Sequence, residues 1–177
     1  FGGLDLAYTE MASAAAAASG SIYEKWYLDA DPEPEKTILQ FYLTGPERLD
    51  EAIGLVAGKP VFGIDLNFGC SAPNILRAGG GAAWMHKPEA AAALAAQARA
   101  AWPRPRSLSA KLRIGEEEDY GALLAFCRGL VGAGVDFLTL HPRLESEKFR
   151  RKSRWDYVAR LSRDLPIPLV GNGDVKT

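Results

Sequence analysis

Residues 64–74 read IDLNFGCSAPN. Successive side chains of an extended strand point to opposite sides, so Ile64, Leu66 and Phe68 share one face while Asp65 and Asn67 share the other. The first face is apolar throughout. The second is polar and runs directly into Gly69, Cys70, Ser71 and Pro73, a turn of flexible and reactive residues. A strand buried on both sides has no use for Asp, Asn and Cys within six positions, so this end of it reads as the rim of an active site.

The same phase recurs along the chain. Strands are expected at 4–9 (LDLAYT), 37–43 (TILQFYL), 61–67 (VFGIDLN), 107–114 (SLSAKLRI), 135–141 (VDFLTLH) and 167–172 (IPLVGN). Between them lie helical stretches at 12–28, 46–57, 88–101, 120–132 and 155–165, with Pro46-Glu47 and Pro88-Glu89 as start signals. Gln40 shares a face with Ile38 and Tyr42, Ser109 with Lys111 and Arg113, and Thr139 with His141. Strands separated by helices pair in parallel, because antiparallel neighbours need only a hairpin whereas parallel ones need a long crossover. One apolar face and one that turns polar towards the C-terminal end is the pattern of a (β/α) barrel, whose inward face ends at the catalytic mouth. The expected fold is therefore α/β, a (β/α)8 barrel of TIM type. It is expected to be incomplete: six of eight strands are visible, and a closed barrel takes ~250 residues against 177 here. The chain opens on Phe1 and closes on GNGDVKT, where a strand would hand over to a helix. Residues 1–177 are accordingly read as one partial barrel domain lacking the first and last strands.

Composition by itself is silent about partners. With 21 basic and 22 acidic residues the net charge is -1, so no global field draws the chain to nucleic acid or membranes. No apolar run reaches the ~18 residues needed to cross a bilayer. The two cysteines, Cys70 and Cys127, have neither metal-ligand spacing nor a disulfide framework around them, which suits a reducing, cytoplasmic setting without a metal. Locally, KFRRKSRW gathers Lys148, Arg150, Arg151, Lys152 and Arg154 in seven positions, either a phosphate-binding patch or a solvated loop.

Several residues carry two readings at this level. Cys70 is an inert buried thiol or a reactive group at a strand end; Cys127, inside LLAFCRGL, is read as inert. Lys111 on a barrel interior requires an anion, supplied by a ligand or by Asp65. GNGD, Gly171 to Asp174, is a loop that lets backbone N–H groups approach a phosphate, or only a tight turn. AGGGAA, Ala78 to Ala83, lacks the Lys of a P-loop and is read as backbone packing near the rim.

Residues 65–85, DLNFGCSAPNILRAGGGAAWM, resemble the signature of the tRNA-dihydrouridine synthases. In that family a hydrophobic residue, Asp, a hydrophobic residue, Asn, any residue, Gly, Cys and Pro are followed later by Gly and a small residue. Asp65, Asn67, Gly69, Cys70, Gly81 and Ala82 match, and Ser71 stands where the family has Pro. YTEMASA, ILQFYLTGPERL, AKLRIG, LTLHPRL and IPLVGNGDV extend the resemblance over nearly the whole chain. It implies an FMN-dependent oxidoreductase that uses NADPH to reduce the C5–C6 bond of uridine in tRNA to dihydrouridine. On the same basis Cys70 is the catalytic proton donor to C5, a role suited to a thiol, which holds its proton near neutrality. FMN contacts are implied at Gln40, Lys111, His141, Asn172, Gly173 and Asp174, and substrate contacts at Asn67, Arg143, Arg150 and Arg151. The implied partner is tRNA, bound by a monomer with the help of a C-terminal helical domain outside this segment. Two alternatives are another FMN-dependent ene-reductase, of the dihydroorotate or dihydropyrimidine type, and a non-catalytic RNA-binding remnant.

Overall fold

The computed structural model describes residues 3, 5–148 and 150–175; Leu4 of the expected first strand and Phe149 of the basic loop lie outside the described residues. Among these, seven strands form one parallel sheet in the order β1 (Ala7–Tyr8), β3 (Thr37–Tyr42), β4 (Gly63–Phe68), β5 (Ser107–Leu112), β6 (Phe137–Leu140) and β7 (Leu169–Gly171). β2 (Ala12–Ser13) lies on β3 in line with β1. The sheet is curled. Tyr8 Oη and Thr139 Oγ1 are 2.9 Å apart, although β1 and β6 are four places apart in the order; in a flat sheet ~19 Å would separate them. An incomplete (β/α) barrel results, open between β1 and β7.

Alternation sorts the side chains as the sequence requires. Ile64, Leu66 and Phe68, with Leu39, Phe41, Leu108, Ala110, Leu112, Leu138 and Leu140, face outward and are fully buried. They are covered by α3 (Leu49–Val56), α5 (Pro88–Ala101) and α6 (Tyr120–Gly132), which pack side by side, and α7 (Trp155–Asp164) packs beside β7. α5 begins with Pro88 at its first turn and buries Ala91, Leu94, Ala95 and Ala98, the spacing of one helical face. α6 is capped by Asp119, whose side chain accepts from Ala122 N–H. The inward face carries Gln40, Asp65, Asn67, Ser109, Lys111 and Thr139, aligned by a register that pairs Gln40 with Asp65, Asp65 with Ser109, Asn67 with Lys111 and Lys111 with Thr139.

The first segment departs from expectation. The helix expected at 12–28 is a strand, β2, followed by two short helices, α1 (Ala14–Ala18) and α2 (Glu24–Tyr27). Ser13 caps α1 through Ala16 N–H, and Gly20, at φ +82°, breaks the continuation. β1 and β2 are one strand interrupted by a bulge: Tyr8 pairs with Ile38 and Ala12 with Phe41, so three residues oppose two. α3 starts at Leu49 instead of Pro46, since Arg48 sits in the left-handed region at φ 64°. The chain between β4 and α5 also holds a short helix, α4 (Pro73–Arg77), and a 3-10 helix over Gly81–His86.

Candidate active site

At the end of β4 the chain turns through Gly69, packed so tightly on β5 that an added Cβ would lie 2.9 Å from the backbone of Leu112. Cys70 follows, half-buried and held at both ends of its backbone. Its N–H donates to Asn67 Oδ1 at 2.8 Å, and its carbonyl accepts from Ala82 N–H at 2.9 Å. Gly81 comes so close that a Cβ there would meet the Cys70 carbonyl oxygen at 2.3 Å. The glycine run of AGGGAA is thus backbone packing near the rim, Gly80 against Leu43 and Gly81 against Cys70.

Beneath Cys70 the polar side chains of three strands are linked. Asn67 Nδ2 donates to Gln40 Oε1 at 2.8 Å, Gln40 Nε2 donates to Asp65 Oδ2 at 2.8 Å, and Ser109 Oγ donates to Asp65 Oδ1 at 2.5 Å. On the far wall, Arg143 donates to His141 Nε2 at 2.8 Å and pairs with Asp174 at 2.6 Å, while Asp174 also accepts from Ser153 N–H at 2.8 Å. Gly173, at φ +98°, lies against the His141 ring, where a Cβ would fall 2.7 Å from ring atoms.

These walls enclose a cavity of about 610 Å3 at the C-terminal ends of the strands, lined by Asn67, Cys70, Lys111, His141, Arg143, Asn172, Gly173 and Asp174. Four further lining residues are Glu10, Met11, Gly69 and Arg113. Arg113 shares the polar face of Lys111, a signal present in the sequence; Glu10 and Met11 are delivered by the bulge, which breaks the alternation that would place them. Gln40 is not part of the lining and sits one hydrogen bond below it, under Asn67. Arg150 and Arg151 lie outside, on an adjoining groove of about 430 Å3 that shares Arg143 and Asp174 with the cavity wall. Arg154 is turned away, bound to Glu147 and Glu118.

A cysteine, a lysine and a histidine from three successive strand ends meet at this cavity, with the glycine turn of residues 65–85 holding the cysteine. The family model for dihydrouridine synthases matches residues 1–177. The chain belongs to the dihydrouridine synthase family. It is 34% identical over 140 residues to the tRNA-dihydrouridine(16) synthase of Cupriavidus necator, covering 79% of this chain and 43% of that protein. It is 28% identical over 148 residues to the probable tRNA-dihydrouridine synthase 1 of Synechocystis, covering 84% and 41%. To the probable tRNA-dihydrouridine synthase of Aquifex aeolicus it is 31% identical over 179 residues, covering 99% and 55%. The chain thus spans about half the length of these relatives.

The electrostatics of this dihydrouridine synthase chain follow from burial. Asp65 is fully enclosed, and desolvation pushes its carboxyl up to about 6 against the opposing pull of Ser109, Gln40 and Lys111. Lys111 is shifted down, mainly by its own burial. It makes no ion pair among the described residues, although the Asp65 carboxylate, hydrogen-bonded by Ser109 and Gln40, opposes the downward shift. His141 is lowered to about 4 by burial and then by Arg113, Lys111 and Arg143. It is neutral at pH 7, and since arginine can only donate, its Nε2 is the acceptor. Among the described residues no helix is long and apolar enough to cross a membrane.

Proposed function

We propose that this chain is the flavin-holding part of an enzyme that reduces the C5–C6 bond of uridine in tRNA to dihydrouridine, with FMN as cofactor and NADPH as reductant. The reading is carried by one observation: Cys70 and Lys111, 41 positions apart in sequence, line the same cavity of about 610 Å3, within the ~300–1,000 Å3 of sites that hold cofactor-sized ligands. The residues fit a flavin. Lys111 is a half-buried cation that lines the cavity and makes no ion pair among the described residues, Asp65 acting on it only from behind the lining. It is matched to the anionic N1/O2 edge of the reduced ring. The Gly173 turn, which lines the cavity and is packed against the His141 ring and Ser153 Oγ, is where the backbone would hold a phosphate. Asn172, Gly173, Asp174 and His141 complete the cofactor's surroundings, with Gln40 behind them supporting Asn67.

When bound, the reduced flavin supplies the hydride for C6. Cys70 Sγ gives its proton to C5, which balances the addition of hydride and leaves a thiolate that solvent reprotonates. Asn67, through its hold on the Cys70 N–H, keeps the thiol at the cavity wall. Arg143 orders the wall itself by joining His141 to Asp174, and Arg150 and Arg151 on the adjoining groove meet tRNA phosphates, orienting the substrate without reading its sequence. The uracil must leave its stack to enter.

The test uses the full-length protein, NADPH and a tRNA transcript free of dihydrouridine, with product counted by mass spectrometry. Visible flavin absorbance is expected, and Cys70→Ala is expected to lower turnover by about 10²-fold or more, the usual contribution of a positioned acid. Undiminished turnover in Cys70→Ala rejects the proton-donor role; a colourless protein that still binds tRNA rejects the redox reading.

A further inference from the structure

Asp65 touches neither the cavity nor any exposed surface, yet it sits at the root of the side-chain hydrogen bonds that end on Cys70. We propose that Asp65 is a positioning residue: it fixes the direction of every hydrogen bond in the relay through Gln40 and Asn67, and thereby holds the Cys70 backbone at the cavity wall.

The direction follows from donor and acceptor identity alone. An ionised carboxylate only accepts, so Gln40 must present its NH2 to Asp65 Oδ2, at 2.8 Å. That turns Gln40 Oε1 towards Asn67, which must answer with its own NH2, also at 2.8 Å. Asn67 Oδ1 is thereby left facing two backbone donors, Gly69 N–H at 3.2 Å and Cys70 N–H at 2.8 Å. Asn67 Nδ2 additionally lies 3.7 Å from Met11 Sδ, a weak acceptor that favours the same orientation. Without an acceptor at position 65 the Gln40 amide is free to flip, and a flipped Gln40 sets its NH2 against the NH2 of Asn67 and pushes on the residue that holds Gly69 and Cys70. Donors then face donors, and the Gly69–Cys70 turn loses its anchor. Ser109 secures the other oxygen of Asp65 and keeps the carboxylate from rotating. The register supports the arrangement: Gln40, Asp65 and Ser109 are direct partners across β3, β4 and β5, and Asn67 is the next inward residue of β4.

The relay is tested by alkylation of Cys70 with iodoacetamide at saturating FMN, read by mass spectrometry, with the buried Cys127 as internal reference. Asp65→Leu is expected to raise the Cys70 rate about 5-fold, the population change that follows loss of one net hydrogen bond. Asp65→Asn keeps an acceptor for Gln40 and a donor for Ser109 Oγ, and is expected to hold the rate within about 2-fold of the parent. Should Asp65→Leu fail to fold, Gln40→Met cuts the relay at its next link and is expected to give the same rise. An unchanged Cys70 rate in the relay variant, or an equal rise at Cys70 and Cys127, overturns the proposal. Its catalytic consequence rests on Cys70 as proton donor, and a double-mutant cycle separates the two: in a Cys70→Ala background, cutting the relay should cost no further turnover. An additive loss shows that Asp65 acts elsewhere and overturns the proposal. Full turnover in Cys70→Ala alone rejects the proton-donor reading, while the alkylation result still decides the relay.

Discussion

Replacing Gly81 by alanine is the sharpest test of how the thiol is held. Gly81 has φ +58°, a conformation that costs an L-residue roughly 1–2 kcal/mol. The new methyl would lie 2.3 Å from the Cys70 carbonyl oxygen and 3.0 Å from Cys70 Cβ. Ordinary contact begins near 3.4 Å, so the two segments must separate by about 1 Å, and the atom in the way is backbone that cannot rotate aside. Overpacking of this kind costs about 1–3 kcal/mol, which with the backbone term gives about 2–5 kcal/mol in all. The displacement also strains the Ala82 N–H bond to Cys70. A shift of about 1 Å in a reacting group can cost about 10²-fold in rate. Urea unfolding and dihydrouridine formation should therefore both fall in Gly81→Ala. Gly54→Ala is the control: Gly54 lies within α3 with nothing within 4 Å of the added methyl, and should gain roughly 0.5–1 kcal/mol. If Gly81→Ala unfolds within about 0.5 kcal/mol of the parent and turns over normally, the close approach described here is wrong.

Three further outcomes are expected. Asp65 has its pKa raised on folding and His141 has its pKa lowered, so the two pull stability in opposite directions across overlapping windows. Asp65's contribution is present below about pH 4 and lost as pH rises through 6, whereas His141's is present above 6.5 and lost as pH falls towards 4; Asp65→Asn should therefore gain stability with rising pH in this range and His141→Gln should lose it, and identical urea midpoints across pH refute both assignments. Lys111→Met should weaken FMN binding by about 10-fold or more, the worth of a charged hydrogen bond, in a fluorescence-quenching titration; an unchanged affinity removes Lys111 from the cofactor site. Arg150→Ala and Arg151→Ala should each lower the slope of log tRNA affinity against log salt by about 1, and slopes equal to the parent's assign this loop to solvent.

Period-two alternation decided most of what is legible here. It placed Asp65 and Asn67 on one face and Ile64, Leu66 and Phe68 on the other, and the same reading of the other strands gave a sheet with a polar interior, because alternation is a local property of an extended chain; the helices between strands made that sheet parallel. The order of motifs, from Gln40 to GNGD, gave the family and the candidate residues. Curvature brought Tyr8 to Thr139, and register set Gln40 beside Asp65; neither is encoded in a local pattern, since each joins segments far apart in sequence. The bulge that carries Glu10 and Met11 to the cavity breaks alternation and is invisible to it. So are the approach of Gly81 to Cys70 and the capture of Arg143 by Asp174, which arise only when separate loops meet at one end of the sheet. Residue type and spacing named the chemistry, while the directions in which those groups point were settled by contacts that exist only in the folded chain.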